Sequence, residues 1–450
     1  MGKQRKVIMS KISRRKFIAK MTGAAAAGVF MPTLIPSSAL GKAGTVAPSN
    51  RINIAFIGHG CQSGGHRGDM ARRPDTQILA VCDVKEDVLD KVYGEVERIN
   101  KDRGIGDSLQ RTIHYQECLD RDDIDAAFIV TPDHWHVAIS LYAILRGKHV
   151  YCEKPLTLTV REGRILADAA KKANVRFQTG SQQRSEFSFR KCAELVRNGA
   201  IGKVKNIYIG IGNFPPPLEL PEQEIPKTLH YDLWLGPTPW RPYHPERVKG
   251  DYGGGWRRFW EYGARKEGDW GAHHFDIVQW ALGMDHSGPT LFCPMGTDGA
   301  PCRFYKYENG PTIYINPPGD MDKGKWGGGN RGQAIRFVGE SGELLVNRGN
   351  FLRSDPDPSL ATIALKSGAQ RLHPSMGHRE DWIHAIKTGR DTICPAEIGH
   401  RTASICHLSA IALRTNRTIH WNPEKEEIIG DELATNMLDR PRRAPYFLGA

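Results

Sequence analysis

From residue 51 onward, short apolar runs alternate with longer amphipathic stretches. Residues 51–57, 78–83, 126–130, 149–152 and 175–178 are rich in Ile, Val, Ala and Phe. They have the length and composition of strands buried on both faces. Residues 85–100, 136–146 and 160–173 carry apolar positions at helical spacing between those runs. Strands alternating with helices predict a parallel, doubly wound sheet over residues 51–180.

The pattern then changes. A helix over 189–197 and a strand over 204–211 lead into residues 212–262, long, irregular and crowded with Pro, Gly and Trp. A helix is predicted over 272–282, then strands at 303–307, 312–315, 333–338, 342–346 and 361–365. Glu308-Asn309-Gly310 and Glu340-Ser341-Gly342 supply hairpin turns between them. Sequential strands with tight turns predict a mostly antiparallel sheet, and helices over 379–387 and 397–415 close this second domain, residues 181–450. The overall expectation is an α/β protein: a doubly wound parallel sheet followed by an α/β domain with a large, open, mostly antiparallel sheet.

Charge at first misleads. The chain of 450 residues has a formal net charge of +12. Residues 1–42 contain nine Lys or Arg and no acid, which leaves only +3 for the rest. The excess therefore gives no support for nucleic-acid binding. It surrounds Ser13-Arg14-Arg15-Lys16-Phe17-Ile18, a twin-arginine pattern, followed by a weak apolar run at 21–34 interrupted by Pro32. That run is too short for a secure membrane span and has the flanks of a signal segment. The expectation is export by the twin-arginine translocase to the periplasm or another extracytoplasmic compartment, with 43–50 as a linker. Nine cysteines without a Cys-x-x-Cys pair read as mostly structural thiols, Cys82 and Cys152 among them, with Cys293 and Cys302 open to a disulfide. No metal is expected.

Chemistry concentrates at the strand ends. Gly58-x-Gly60-x-x-Ser63 follows the first strand and precedes a helix, with Asp83 ending the second strand. Two such glycines let a backbone approach a pyrophosphate at a helix N-terminus, and Asp83 would accept from the adenosine ribose. This favours NAD, with NADP open because Lys85 lies close by. Thr131-Pro132-Asp133-His134-Trp135-His136 and Glu153-Lys154-Pro155 end the third and fourth strands. Pro155 is a candidate for a cis bond that aims Lys154, and Lys154 could stabilise a substrate alkoxide. Farther on, Asp269 and His273 lie four residues apart and would share a helix face, the carboxylate raising the basicity of the imidazole. The alternatives are an N-capping Asp with a core His, or a metal site of His273, His274 and Asp276. Adjacent helical residues point apart, which weighs against the metal site. Trp234, Trp240, Trp256, Trp260 and Trp270 are candidate walls for a carbohydrate, although packing of a long loop explains most of them.

These motifs together resemble the Gfo/Idh/MocA oxidoreductases across nearly all of residues 51–447. The match rests on Gly58 and Gly60, Asp83, Thr131-Pro132 with His136, Gly147-Lys148-His149-Val150 leading to Glu153-Lys154-Pro155, and Asp269-x-Gly271-x-His273. Ser63 departs from the pattern in place of a third glycine. The resemblance implies an NAD(P)-binding Rossmann domain and a second α/β domain whose open sheet forms homo-oligomer contacts. It implies that Lys154 is the catalytic lysine, that Asp269 and His273 form an acid/base pair, and that His136 and Glu153 lie near the nicotinamide. The expected activity is oxidation of a sugar or cyclitol hydroxyl, with a tightly held cofactor. The alternatives are an NAD-dependent glycosidase working by oxidation, elimination, hydration and reduction, a sugar transhydrogenase, and a cofactor-binding protein without catalysis.

Overall fold

The computed structural model describes residues 46–106, 108–216, 219–319, 333–446 and 448. The twin-arginine segment lies outside the described residues. By its contacts the chain divides after Asn50, and residues 51–450 form one compact unit. Among the described residues no helix is long and apolar enough to cross a membrane.

The first half of that unit is β1 (Ile52–Ile57), α1 (Ser63–Arg72), β2 (Thr76–Cys82), α2 (Glu86–Asp102), β3 (Gln110–Thr112), α3 (Tyr115–Leu119), β4 (Ala126–Ile129), α4 (Asp133–Leu145), β5 (His149–Cys152), α5 (Val160–Ala173) and β6 (Phe177–Thr179). The strands pair in the order β3-β2-β1-β4-β5-β6, all parallel. β2 and β4 are buried along their whole length because helices cover both faces. α2 presents Leu89, Val92, Val96 and Ile99 as one apolar stripe to that sheet. The strand order reverses between β1 and β4, which places the ligand crevice beyond their carboxyl ends. β3 and α3 were not expected, since Gln-Arg-Thr carries no apolar run.

The second half contains α6 (Phe187–Arg197), β7 (Val204–Ile209), α7 (Tyr231–Leu235), α8 (Ala272–Leu282), β8 (Leu291–Cys293), β9 (Phe304–Lys306), β10 (Thr312–Ile315), β11 (Ile335–Gly339), β12 (Glu343–Asn347), β13 (Phe351–Asp355), α9 (His378–Thr388), α10 (Ala396–Thr415), β14 (Ile419–Asn422) and β15 (Glu427–Ile428). Its sheet runs β13-β12-β11-β7-β10-β9-β8-β14-β15, antiparallel except for the β7–β10 pair. Phe275, Ile405 and Ile411 from the helices pack against Ile207, Ile209, Phe337 and Leu344 of the sheet.

The strand expected at 361–365 does not form. Asp357 caps the N–H of Ser359 at 2.9 Å and the Ser354 hydroxyl accepts from the N–H of Ala361 at 2.9 Å, which curls the chain into a turn. β13 takes the edge position instead. Cys293 and Cys302 are both buried free thiols, so the disulfide left open above is not made. The irregular insert holds its own small core of Tyr231, Trp234, Tyr243, Trp256, Phe259 and Tyr262. The halves meet where α10 packs on α5. A Cβ at Gly163 would lie 2.1 Å from His400 Nδ1, and one at Gly399 would lie 2.2 Å from Thr179 Oγ1, so both glycines permit the close approach.

Candidate active site

A cleft of about 1160 Å³ extends from Gly58 and Asp83 to Lys154, Asp269, His273 and Arg348. Its first end is built by the turn after β1. Gly58 has φ +87°, and a Cβ there would lie 2.7 Å from the carbonyl oxygen of Val130, so only glycine fits. The space beside Gly60 is open, with no atom within 4 Å of a Cβ position. Ser63 explains the missing third glycine. Its hydroxyl donates to the carbonyl of Gly60 at 2.8 Å and its N–H to the same oxygen at 3.1 Å, closing the turn as α1 begins. Asp83 accepts the N–H of His59 at 2.7 Å and that of Lys85 at 2.9 Å. Burial pushes its carboxyl above the usual range against those two bonds.

These residues fit a dinucleotide. The glycine cradle, the free space at Gly60, the start of α1 and the carboxylate of Asp83 lie along one cleft. The Thr131 hydroxyl, also on the cleft wall, is buried without a hydrogen-bond partner.

At the other end β5 runs into Glu153 and Lys154, and the Lys154–Pro155 bond is cis. The Lys154 ammonium donates to the backbone carbonyl of Asp269 at 2.8 Å and lies 3.4 Å from its carboxylate. Lys266 meets the same carboxylate at 2.9 Å and Arg257 approaches to 3.6 Å. Burial pushes the Asp269 carboxyl up, but Lys154, Lys266 and Arg257 together hold it below the usual range. Glu153 is clamped by His66 at 3.0 Å and by Gln182 at 2.6 Å. Burial raises its pKa and the bond to His66, with nearby positive charge, more than offsets this.

One expectation needs correction. Asp269 and His273 do not pair with each other: Asp269 sits in the π-turn Glu267–Gly271 and is engaged by cations, and His273 lies in α8, which begins at Ala272. Asp269 pairs with cations, while His273 Nδ1 is buried without a partner. Burial, then Lys154 and Arg348, push His273 well below its ordinary pKa, the opposite of the expected rise. His136, expected near the nicotinamide, sits behind Thr131 and Pro155 of the cleft wall. It is buried beneath the site, with Nδ1 2.8 Å from the carbonyl of Pro155 and Nε2 3.0 Å from that of Thr131, and it is not on the cleft wall. It packs between the two motif loops. A neutral ring can donate to only one of those carbonyls.

Of the rival residues, His274 stacks on Trp270 with centroids 5.4 Å apart, both its ring nitrogens buried without a hydrogen-bond partner. Asp276 accepts two bonds of 2.8 Å from the buried Arg184. Of the five tryptophans, Trp234, Trp256 and Trp270 line the cleft, whereas Trp240 and Trp260 do not. Charged residues at the reacting end that were absent from the expected set include Asp133, Arg257, Lys266 and Arg348. Asp133 stood inside a motif already noted. Arg348 follows β12 with no local signal, and its guanidinium lies over the Trp270 ring at 4.5 Å.

Comparison with known proteins agrees with this architecture. Residues 52–181 match the NAD-binding Rossmann domain of the oxidoreductase family Gfo/Idh/MocA. Residues 213–319 and 362–448 match its C-terminal alpha/beta domain. The chain belongs to the Gfo/Idh/MocA oxidoreductase family. A glycosyl hydrolase family 109 protein of Shewanella baltica is 28% identical over 214 residues, 44% of this chain and 45% of that protein. The chain thus matches less than half the length of this curated relative. Among solved structures, the WlbA dehydrogenase of Bordetella pertussis with NADH and UDP-GlcNAcA has a TM-score of 0.55 at 15% identity, covering 83% of this chain and 99% of that one. The scyllo-inositol dehydrogenase of Lactobacillus casei has a TM-score of 0.53 at 17% identity, covering 82% and 98%. These likenesses concern the fold. The Gfo/Idh/MocA chain is α/β, and its first domain binds NAD. When bound, NAD supplies a two-electron acceptor at the carboxyl ends of β1 and β4; the protein supplies position and charge.

Proposed function

We propose that this oxidoreductase oxidises a hydroxyl of a sugar or cyclitol and retains its NAD through the cycle. The observation that carries this reading is the Lys154 ammonium, fixed by Asp269 at 2.8 Å on the wall of the NAD-binding cleft. A fixed cation there stabilises the negative charge that develops on a hydroxyl oxygen as it is oxidised. Of the dehydrogenases of similar fold, one is in complex with UDP-GlcNAcA and the other is named for scyllo-inositol, which supports this substrate class.

Retention is supported by the insert, which closes over the cofactor end. His230 N–H donates to the carbonyl of Val84 at 3.0 Å and Glu86 N–H to that of Thr228 at 2.8 Å, directly after Asp83. Tyr252 donates to Gln62 at 2.6 Å, bridging the insert to the glycine turn. These contacts hold the insert beside the cofactor end of the cleft. The twin-arginine pattern supports export in a folded, loaded state to the periplasm, where a retained cofactor would need regeneration in place.

That need favours a second reading: oxidation, elimination of an aglycone, hydration and reduction, with no net redox change. The name of the Shewanella relative supports it. A transhydrogenase that alternates two sugars satisfies the same need. The oligomer is proposed to form through the outer face of the open sheet. There Tyr208 stacks on Tyr314 with centroids 5.3 Å apart and Arg336 lies over Tyr208.

The test is to purify the protein without added cofactor, release and quantify its nucleotide, and supply aldoses, inositols and p-nitrophenyl glycosides. Glycoside cleavage without added NAD supports the closed cycle. Turnover only with added, freely exchanging NAD overturns retention.

A further inference from the structure

Asp133 opens α4 immediately after Thr131 and Pro132, and its side chain lines the cleft with Lys154, Asp269 and His273. It is 5% exposed. Its Oδ2 lies 3.0 Å from where a Cβ would stand on Gly263 and 3.8 Å from the same point on Gly268. Two glycines thus leave room for this carboxyl against the turn that carries Asp269. No ion pair and no hydrogen bond from another residue engages the Asp133 carboxyl among the described residues, whereas the two acids flanking Lys154 in the cleft, Asp269 and Glu153, are committed. Asp269 holds Lys154, Lys266 and Arg257. Glu153 holds His66 and Gln182.

A hydroxyl lying against Lys154 must lose its proton to some group as it is oxidised. Asp269 is a weak acceptor, because three cations stabilise its ionised form. His273 is a weak one too, because burial and the charges of Lys154 and Arg348 disfavour the imidazolium. We propose that Asp133 takes up the substrate's hydroxyl proton and returns it on the reverse step; this rests on the hydroxyl-oxidising reading above. The O–H bond breaks, its electron pair stays on the oxygen, the proton adds to a carboxylate oxygen of Asp133, and the alkoxide lies against the Lys154 ammonium. On return the same proton leaves Asp133 for the alkoxide.

The surroundings of the carboxyl suit it to this exchange. Burial pushes its pKa up to about 8, Arg257 and Lys154 oppose that rise, and Asp269 adds to it. A group whose proton affinity lies near the working pH serves as both acceptor and donor. In a closed cycle the proton taken at oxidation is available for the final reduction.

Infrared difference spectra of the NAD-loaded protein between about pH 6 and about pH 10 read the carboxyl directly, without substrate. The expected result is a protonated-carboxyl band that disappears with a midpoint near 8. It should be absent in Asp133→Asn and shifted to higher pH in Lys154→Ala, which removes an opposing charge. Asp133→Asn should also lower turnover by about 10²–10⁴-fold and abolish the acid limb of the pH profile, with bound NAD unchanged. A band that persists in Asp133→Asn, or full turnover in that variant, overturns the proposal. A titrating Asp133 in a wild-type protein that turns over no sugar, cyclitol or glycoside counts instead against the substrate reading.

Discussion

The cofactor end of the cleft is made from neighbours in sequence and the reacting end from segments far apart. Gly58, Gly60 and Ser63 share one turn, and the bond from His59 to Asp83 reaches only to the end of the next strand. At the other end Lys154 meets Asp269 across 115 residues, and Arg348 joins them from the second sheet. The first kind of site is set by backbone geometry that one turn can hold. The second exists only when α5 and α10 dock and bring the π-turn to the carboxyl end of β5. Cofactor binding should therefore respond to local backbone changes, and turnover to changes in remote partners.

The largest effect should come from the remote contact. Lys154→Ala is expected to lower turnover by about 10²–10³-fold with bound NAD unchanged, read by steady-state kinetics alongside released nucleotide. Parallel loss of cofactor and turnover would erase the distinction between the two ends. Gly58→Ala should do the reverse. A Cβ at φ +87°, 2.7 Å from the backbone of Val130, cannot be relieved by a side-chain rotation. A cost of about 1–3 kcal/mol from the conformation alone, plus the clash, predicts protein that purifies largely without NAD.

Asp133→Asn sharpens the comparison through stability. Its native pKa of about 8 lies above the unfolded value, so the native state holds a proton that the unfolded chain has lost. Native stability therefore falls as pH rises through the window from the ordinary carboxyl range to about 8, then levels off. The variant removes this penalty. Its melting temperature should exceed that of the wild type by an amount that grows with pH across that window, reaching about 2–5 °C. A difference that shrinks toward alkaline pH would place the buried carboxyl elsewhere.

Smaller effects probe the edges. Tyr252→Phe removes one neutral hydrogen bond to Gln62, of about 0.5–1.5 kcal/mol, and should speed NAD dissociation by about 2–10-fold with the chemical step intact. In a double-mutant cycle, Asp269→Asn and His273→Asn should couple by less than about 0.5 kcal/mol, because Asp269 holds cations rather than the imidazole. A larger coupling would restore the pair expected from spacing.

The first sheet was legible because strands covered on both faces must be continuous apolar runs, as β1, β4 and β5 are. β3 carried no such signal, and β8, β14 and β15 are two to four residues long. Within the site, Gly58, Asp83, Lys154 and Asp269 were found by motif and all reach the cleft. Arg257, Lys266 and Arg348 were not found, since charged residues in loops look alike until a fold points them at one another.

The order of apolar runs and turns determined the two-sheet α/β architecture, and the glycine turn determined where a dinucleotide would lie. Both follow from short-range rules: burial sets strand composition, and φ +87° demands glycine. Only the tertiary structure decided the partner of Asp269, the placement of His136 beneath the site and the isolation of Asp133. Those depend on electrostatic contacts between segments that nothing in their own spacing relates. Asp269 shows the reason most directly, because Lys154, Arg257 and Lys266 converge on its carboxylate, and Lys154 comes from 115 residues away.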